Sequence, residues 1–468
     1  MTSDASQTLP IAVIGGGVTG LSTAFALARS GRRVRLFEAS DRLGGAVQSE
    51  TIAGGWLAEA GPNTLLLSDP KVRTLFDDLG LSSELRTARP EAKHRYLVRD
   101  GKLWALPTSP GSFLSTGLFS ARAKFGILAE LLKRPRTRTT DLSLAALIES
   151  HFGREIVDYA LQPFVSGVFA GNPAKLSAKL SFPQLWEAEQ RHGSLIRGQI
   201  ASAKARKARG EPRGTIVSFA DGLATIPRRL ADRLPAGTIE CRAKIESLLT
   251  DGAWKLVWSR DGATTTESFA AVVMTVPAHA LARLSVGPLG ERPLAALDAI
   301  EYPPVASLFL GYRRDQVAHP LDGFGLLIPA QERRALLGVL FSSSLFAGRA
   351  PDGHVAITVM MGGASSPDRA QLDTAAALEL AKRELSSLLG VTGEPTVVRH
   401  HRWPRAIPQY NLGYERFLDA IVRTEANHPG LFVGGHIRDG ISLTQCLSSG
   451  MRLAERAATH AVRASGLH

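Results

Sequence analysis

The stretch Ile11-Ala12-Val13-Ile14-Gly15-Gly16-Gly17-Val18-Thr19-Gly20, read together with Glu38, decides the fold. Ile11 to Ile14 is a short apolar run of the kind a buried parallel strand shows. Glycines then fall in the order Gly15-x-Gly17-x-x-Gly20 around Gly16. Val18 to Arg29 has helical spacing, with Leu21, Ala24, Phe25 and Ala28 on one face, and Gly31 is placed to stop it. Arg33 to Glu38 is a second strand that ends in a carboxylate. Together these form a dinucleotide-binding βαβ unit. Gly15 permits the tight turn, the missing Cβ of Gly17 lets a pyrophosphate approach the backbone, and Gly20 lets the helix lie on the strand. The helix N-terminus attracts the anion. Glu38, eighteen residues past Gly20, suits a ribose hydroxyl pair.

Composition narrows the class. At 468 residues the chain has room for two to four domains and a sizeable core. A net charge of +12 calls for an anionic partner: nucleic acid, an anionic membrane surface or a small acidic substrate. An aromatic fraction of 6% and the lack of a finger, helix-turn-helix or aromatic-basic motif argue against nucleic acid. Cys241 and Cys446 show no metal-ligand or redox spacing, so no metal is expected and a reducing compartment fits. Met1 to Gln7 has neither the basic start nor the apolar core of a signal segment, and no apolar run approaches the roughly eighteen residues of a membrane span. The expectation is a cytoplasmic protein, soluble or peripheral on the membrane.

After Glu38 come Ala39, then Arg42-Leu43-Gly44-Gly45, then Gly61-Pro62-Asn63-Thr64. Each alone is a generic turn; the ordered series resembles the FAD-binding half of the flavin amine oxidase superfamily. Within it the chain is similar to the protoporphyrinogen oxidase and coproporphyrinogen III oxidase family. Many members carry Arg after the glycine pair; Ala46 here removes one phosphate contact. The resemblance implies FAD held by Gly15, Gly16, Gly17, Gly20, Glu38, Ala39, Arg42, Gly44, Gly45, Gly61, Pro62, Asn63 and Thr64. It also implies that Arg95, in the basic strand from Ala92 to Val98, pairs with a propionate of a tetrapyrrole, for which a guanidinium is suited.

Lys71 to Leu81 reads as a helix, and residues 110–213 as mainly helical, with helices over Ala121–Leu132, Ser143–His151, Glu155–Leu161 and Glu187–Arg206. The segment Gln162 to Gly171 matches a family element lining the substrate cavity, with Gly167 facing the ring. Basic clusters at Lys133–Arg138 and Lys204–Arg213 fit either a solvated surface or attraction to anionic lipid. Strands follow at Thr238–Leu249, Ala253–Ser259 and Ala271–Val276, and the resemblance implies that Ile245 offers its backbone to the adenine. Further strands at Val305–Tyr312, Phe324–Ile328, Leu337–Phe341 and Val355–Met361, with a helix at Ala375–Leu389, put Phe324, Leu327 and Met360 where the family lines its cavity. Trp403, in the element His401 to Asn411, matches a residue beside the flavin. A strand Leu431–Val433 precedes Arg438-Asp439-Gly440-Ile441-Ser442-Leu443 and a helix from Thr444 to Arg463. Ile441, Ser442 and Leu443 are the implied backbone contacts, with the helix N-terminus toward the flavin N1/C2=O edge.

The fold expected is α/β: a Rossmann-like FAD domain from the discontinuous segments 1–90, 214–285 and 422–468, a mixed-sheet substrate domain from 91–109 and 286–421, and a helical insertion at 110–213. The implied reaction is oxygen-dependent oxidation of a porphyrinogen to a porphyrin. Hydride passes to the flavin, and dioxygen is reduced to hydrogen peroxide. Protoporphyrinogen is the first reading and coproporphyrinogen III the second. A flavin amine oxidase or carotenoid desaturase would share every cofactor motif, and a non-catalytic binding protein would share the scaffold. No general base is nominated; His94 and His401 belong to no catalytic constellation. The sequence leaves monomer and homodimer open.

Overall fold

The computed structural model describes residues 9–210, 213–287 and 290–465. The expectation placed on Met1–Gln7 lies outside the described residues. The apolar run Ile11–Ile14 is a strand buried along its whole length, and the helix after it spans Val18–Arg29. Ile11–Ile14 pairs in parallel with Val34–Glu38 on one side and Ala271–Met274 on the other. Ile239–Cys241 and Leu431–Val433 add in parallel at the two edges. This five-stranded sheet is thus assembled from three separated stretches of chain. Its strands alternate between two apolar layers. Val13, Leu36 and Val273 face the first and last helices, while Ala12, Phe37 and Val272 face Trp254, Trp258 and Phe417. Both faces of a parallel sheet must be covered in this way.

The C-terminal helix, Leu443–Ser465, lies along Val18–Arg29. Small residues make the contact. Ser22 Oγ donates to the carbonyl of Leu447 at 3.3 Å and Thr23 Oγ1 to that of Gly450 at 3.1 Å. A Cβ on Gly450 would stand 2.0 Å from Ser22 Oγ and 2.4 Å from the Thr19 carbonyl oxygen. The two ends of the chain therefore pack at a separation that only glycine permits.

A second, seven-stranded sheet has the order Val397–Trp403, Val305–Arg313, His354–Gly362, Gly338–Leu340, Gly323–Leu327, His94–Arg99, Lys102–Ala105. It is antiparallel except where Gly323–Leu327 meets His94–Arg99. One face, with Ala306, Leu308, Val339, Ile357 and Val359, is buried under the helix Thr374–Leu389.

Three elements differ from the sequence reading. Thr238–Leu249 is two strands, broken at Arg242 with φ 58°. Ile239–Cys241 completes the parallel sheet, whereas Lys244–Asp251 opens an antiparallel one. Glu187–Arg206 is two helices, Pro183–His192 and Leu195–Ala208. Gly193 ends the first with φ 72°, and Ser194 Oγ caps the second by accepting from Arg197 N–H. Glu155–Leu161 is a short helical turn that widens over Val157–Leu161 and continues as a helix at Gln162–Phe169.

The helices between residues 121 and 208 are pinned by a buried polar cluster. His151 Nδ1 is 2.8 Å from Glu130 and its Nε2 is 3.2 Å from Glu189. Arg138 forks onto Glu189 at 2.6 and 2.8 Å, and Ser194 donates to Glu130. Every carboxylate is paired, as burial requires.

Two glycine substitutions separate packing from helix propensity. Gly126→Ala meets nothing closer than 3.6 Å and gains helix propensity, so stability rises by about 1 kcal/mol. Gly450→Ala gains the same propensity but forces the terminal helices apart, at a cost of about 1–3 kcal/mol, and stability falls. Denaturant titration of both variants checks the opposite signs.

Candidate active site

Ile14, Met274 and Val433 are in register at the carboxyl end of the parallel sheet, so the turns that follow them open into one crevice. That is where ligands of such sheets bind. Gly15 turns the chain at φ 105°, and a Cβ there would meet Thr275 at 2.9 Å. A Cβ on Gly20 would stand 1.8 Å from the Gly15 carbonyl oxygen, so helix and strand touch there. At Gly17 an added Cβ would meet nothing within 4 Å: the backbone is bare and faces open space.

The other turns gather around this point. Glu38 Oε2 accepts the Gly16 N–H at 2.7 Å, and its Oε1 accepts from Ser40 N–H and Oγ–H. Gly44 N–H donates to Gly16 O at 2.8 Å, and Gly45 lies over Gly17. Arg42 folds back to donate to Gly45 O at 2.9 Å, beside the exposed Ala39 turn. Ala46 abuts Gly61, where a Cβ would stand 2.0 Å from its carbonyl oxygen. Asn63 donates to Gly61 O and so closes the Pro62–Thr64 turn. Trp403 Nε1 donates to Ala60 O at 2.8 Å, which ties the edge strand of the mixed sheet to that turn. Ile245 sits in the strand that starts just after Ala243 N–H bonds Glu38 O. Ser442 and Gln445 form a reciprocal cap at the start of the last helix, between Ile441 and the helical turn that Leu443 opens.

The mixed sheet supplies the opposite wall. Register places Arg399, Phe309, Thr358, Leu340, Gly325 and Arg95 on one rung. The next rung of the same face carries His401, Ser307, Met360, Gly338, Leu327 and Leu97. A one-residue slip between Gly323 and Gly325 is a bulge that turns Phe324 toward Arg95, whose guanidinium carbon lies 5.2 Å from the ring centroid. Gly167 comes down from the helix Gln162–Phe169, and a Cβ there would meet Leu327 Cδ2 at 2.5 Å. Arg95, Gly167, Phe324, Leu327 and Met360 are therefore brought to one side of the sheet, away from the covering helix.

Several polar groups at this site have a burial or partners that the sequence reading does not reveal. Ser307 Oγ and His401 Nε2 are neighbours across two strands, buried and without a hydrogen-bond partner. Burial lowers the His401 imidazole. Glu59 and Arg349 are both buried, 3.6 Å apart at their closest. Glu59 accepts from Ser49 Oγ and Leu223 N–H, and Arg349 donates to Ser218 Oγ. Burial outweighs these partners and pushes Glu59 up to about 7. Tyr302, His436 and Tyr410 join the mixed-sheet segments to the loop after Leu431–Val433: Tyr302 bonds His436 Nε2, and Tyr410 Oη donates to His436 O. Nothing in the spacing around Glu59 and Tyr410 signals their burial or partners.

The chain matches the model for flavin containing amine oxidoreductase over residues 18–458. It is 34% identical to protoporphyrinogen oxidase 2, chloroplastic/mitochondrial, of Arabidopsis thaliana, over 95% of this chain and 93% of the relative. It is 26% identical to coproporphyrinogen III oxidase of Bacillus subtilis, over 96% and 98%. A crystal structure of a candidate protoporphyrinogen oxidase from Exiguobacterium sp. 255-15 superposes with a TM-score of 0.81 at 22% identity, covering 96% of this chain and 98% of that one. A glycine-lined crevice at the carboxyl ends of a parallel sheet, roofed by a mixed sheet and matched over this length, makes the chain a flavin-dependent oxidoreductase of the flavin containing amine oxidoreductase family.

Proposed function

We propose that the protein is an FAD-dependent oxidase that converts protoporphyrinogen IX to protoporphyrin IX with dioxygen and releases hydrogen peroxide. Arg95 carries the substrate reading. Its side chain makes no ion pair or hydrogen bond among the described residues, and it shares a sheet face with Leu327 and Met360. Arg399 on the same face is already paired with Glu50 at 2.6 Å. One free guanidinium beside an apolar wall suits a flat apolar molecule with few carboxylates. It would repel an amine cation, which separates this reading from an amine oxidase. Coproporphyrinogen III, with four carboxylates, is the second reading, favoured by the Bacillus subtilis relative.

FAD fits the crevice. The open space at Gly17 is where a side chain would obstruct a pyrophosphate. Glu38 uses only part of its acceptor capacity on Gly16 and Ser40 and has room for a ribose diol. In this reading Gly15, Gly16, Gly20, Ala39, Arg42, Gly44, Gly45, Gly61–Thr64 and Ile245 hold the nucleotide, and Trp403 and Ile441–Leu443 border the ring. The segments 1–90, 214–285 and 422–468 form the cofactor domain, 91–109 and 286–421 the substrate domain, and 110–213 the insertion. When bound, FAD supplies two-electron acceptance and reaction with dioxygen. The chain's part is to orient the substrate through Arg95 and to exclude water with Phe324, Leu327 and Met360.

The insertion presents Phe125, Leu128 and Leu132 at 72%, 53% and 84% exposure, beside Lys133, Arg134 and Arg136. Such a patch favours peripheral contact with an anionic bilayer, at about 1 kcal/mol per basic residue near the surface. No helix of the described residues is long and apolar enough to cross a membrane.

Purified protein is expected to be yellow, and cofactor released by denaturation should chromatograph as FAD. Gly17→Val fills the space above the turn and should lose flavin at least tenfold with an unchanged far-UV spectrum. Side-by-side assays should show higher kcat/KM for protoporphyrinogen IX than for coproporphyrinogen III; equal or better use of the latter reverses the ranking. Arg95→Ala should raise KM for the porphyrinogen about tenfold or more, the worth of a hydrogen bond to a charged group, with flavin content unchanged.

A further inference from the structure

His436 lies where the parallel sheet meets the mixed one. It follows the strand Leu431–Val433 through Gly434 and Gly435, and Gly435 faces Thr19 in the first helix. Its ring meets Tyr302, which precedes the mixed-sheet strand Val305–Arg313, at 3.2 Å from Oη to Nε2. The Tyr302 hydroxyl also accepts the Ala278 N–H at 3.1 Å, and these are its two partners among the described residues. A phenol already accepting from a backbone amide has its own proton to place, and the imidazole nitrogen is the acceptor at hand. Nε2 therefore accepts and Nδ1 carries the ring hydrogen. Burial lowers this imidazole to about 4, with His279 adding to the effect, so the ring is neutral near pH 7. The Nδ1 hydrogen has no protein acceptor among the described residues, and Nδ1 is not sealed inside protein as the Nδ1 of His279 is. The backbone is fixed as well. The His436 carbonyl accepts from Tyr410 Oη at 2.6 Å, and that oxygen accepts the Gly440 N–H at 3.1 Å. The donor thus stands five residues before Ile441, held through its ring by Tyr302 and through its carbonyl by Tyr410.

We propose that His436 is a hydrogen-bond donor to the flavin, its Nδ1 hydrogen set by Tyr302 and directed at the edge of the ring that gains negative charge on reduction. This rests on the reading that the crevice holds FAD. Such a donor favours the reduced cofactor over the oxidised one, so it raises the midpoint potential.

Anaerobic redox titration of the purified flavoprotein tests this without any porphyrinogen. His436→Leu should lower the preference for the reduced form about tenfold, which is about 30 mV for a two-electron couple. Asparagine places its amide nitrogen near the position of Nδ1, so His436→Asn should recover most of the wild-type potential. His436→Gln, which reaches toward Nε2, should not. Tyr302→Phe releases the tautomer and should shift the potential in the same direction by less. A His436→Leu potential within twofold of wild type, about 9 mV, overturns the proposal, as does His436→Asn behaving like His436→Leu. If His436→Leu does not fold, Tyr302→Phe decides, and an unchanged potential there overturns it. Potentials that move as stated in a protein inactive on porphyrinogens remove the substrate reading only. A protein that purifies without flavin removes both.

Discussion

The first and last helices approach at a distance set by glycine, and the crevice depends on that approach. Gly450 rests on Thr19 and Ser22, and Gly20 rests on the Gly15 carbonyl. The helix Val18–Arg29 is thereby held against its own strand and against the chain terminus at once. A Cβ at either position would push it outward, lifting the Gly15–Gly17 turn away from Gly44 and Thr19 away from Gly435. Close packing transmits such displacements, because the interior has no slack to absorb them. The site is made of turns, and it holds its shape because the helices behind those turns interlock.

The two walls of the crevice differ in chemistry for a physical reason. The parallel sheet ends in glycine turns, with bare backbone at Gly17 and the Glu38 carboxylate beside it, which suit an anion and a ribose. The mixed sheet presents a face that is apolar except at a few points, since its other face is committed to the helix Thr374–Leu389. Charge is sparse on the inner face. Despite a net charge of +12, Arg399 and Arg349 are matched with Glu50 and Glu59, and Arg95 is left without an acid among the described residues. An overall basic balance says little about a site; local pairing decides which cation is available.

Trp403 shows how the walls are joined. Its indole donates to Ala60 O, next to Gly61, which sits on Ala46, which follows the Gly44–Gly45 pair over Gly17. A line of short contacts runs from the edge of the mixed sheet to the glycine turn. At the other end, Tyr302 and Tyr410 do the same through His436 and Gly440. The mixed sheet is therefore referenced to the parallel one at both ends of the crevice.

Local sequence determined the βαβ unit, because turn glycines, helical spacing and a terminal carboxylate are each properties of neighbouring residues. It also carried the run of glycine turns and the helix Leu443–Ser465. The breaks at Arg242 and Gly193 were hidden, since one residue at positive φ inside a good pattern changes the path without changing the pattern. Which side chains share the inner face of the mixed sheet was decided only by tertiary structure. The bulge at Phe324 and the register that aligns Arg95, Leu327 and Met360 depend on strands far apart in the chain, so no spacing encodes them. The same holds for Glu59 with Arg349 and for Tyr302 with His436. A buried polar group is defined by what surrounds it, and those surroundings exist only once the chain has folded.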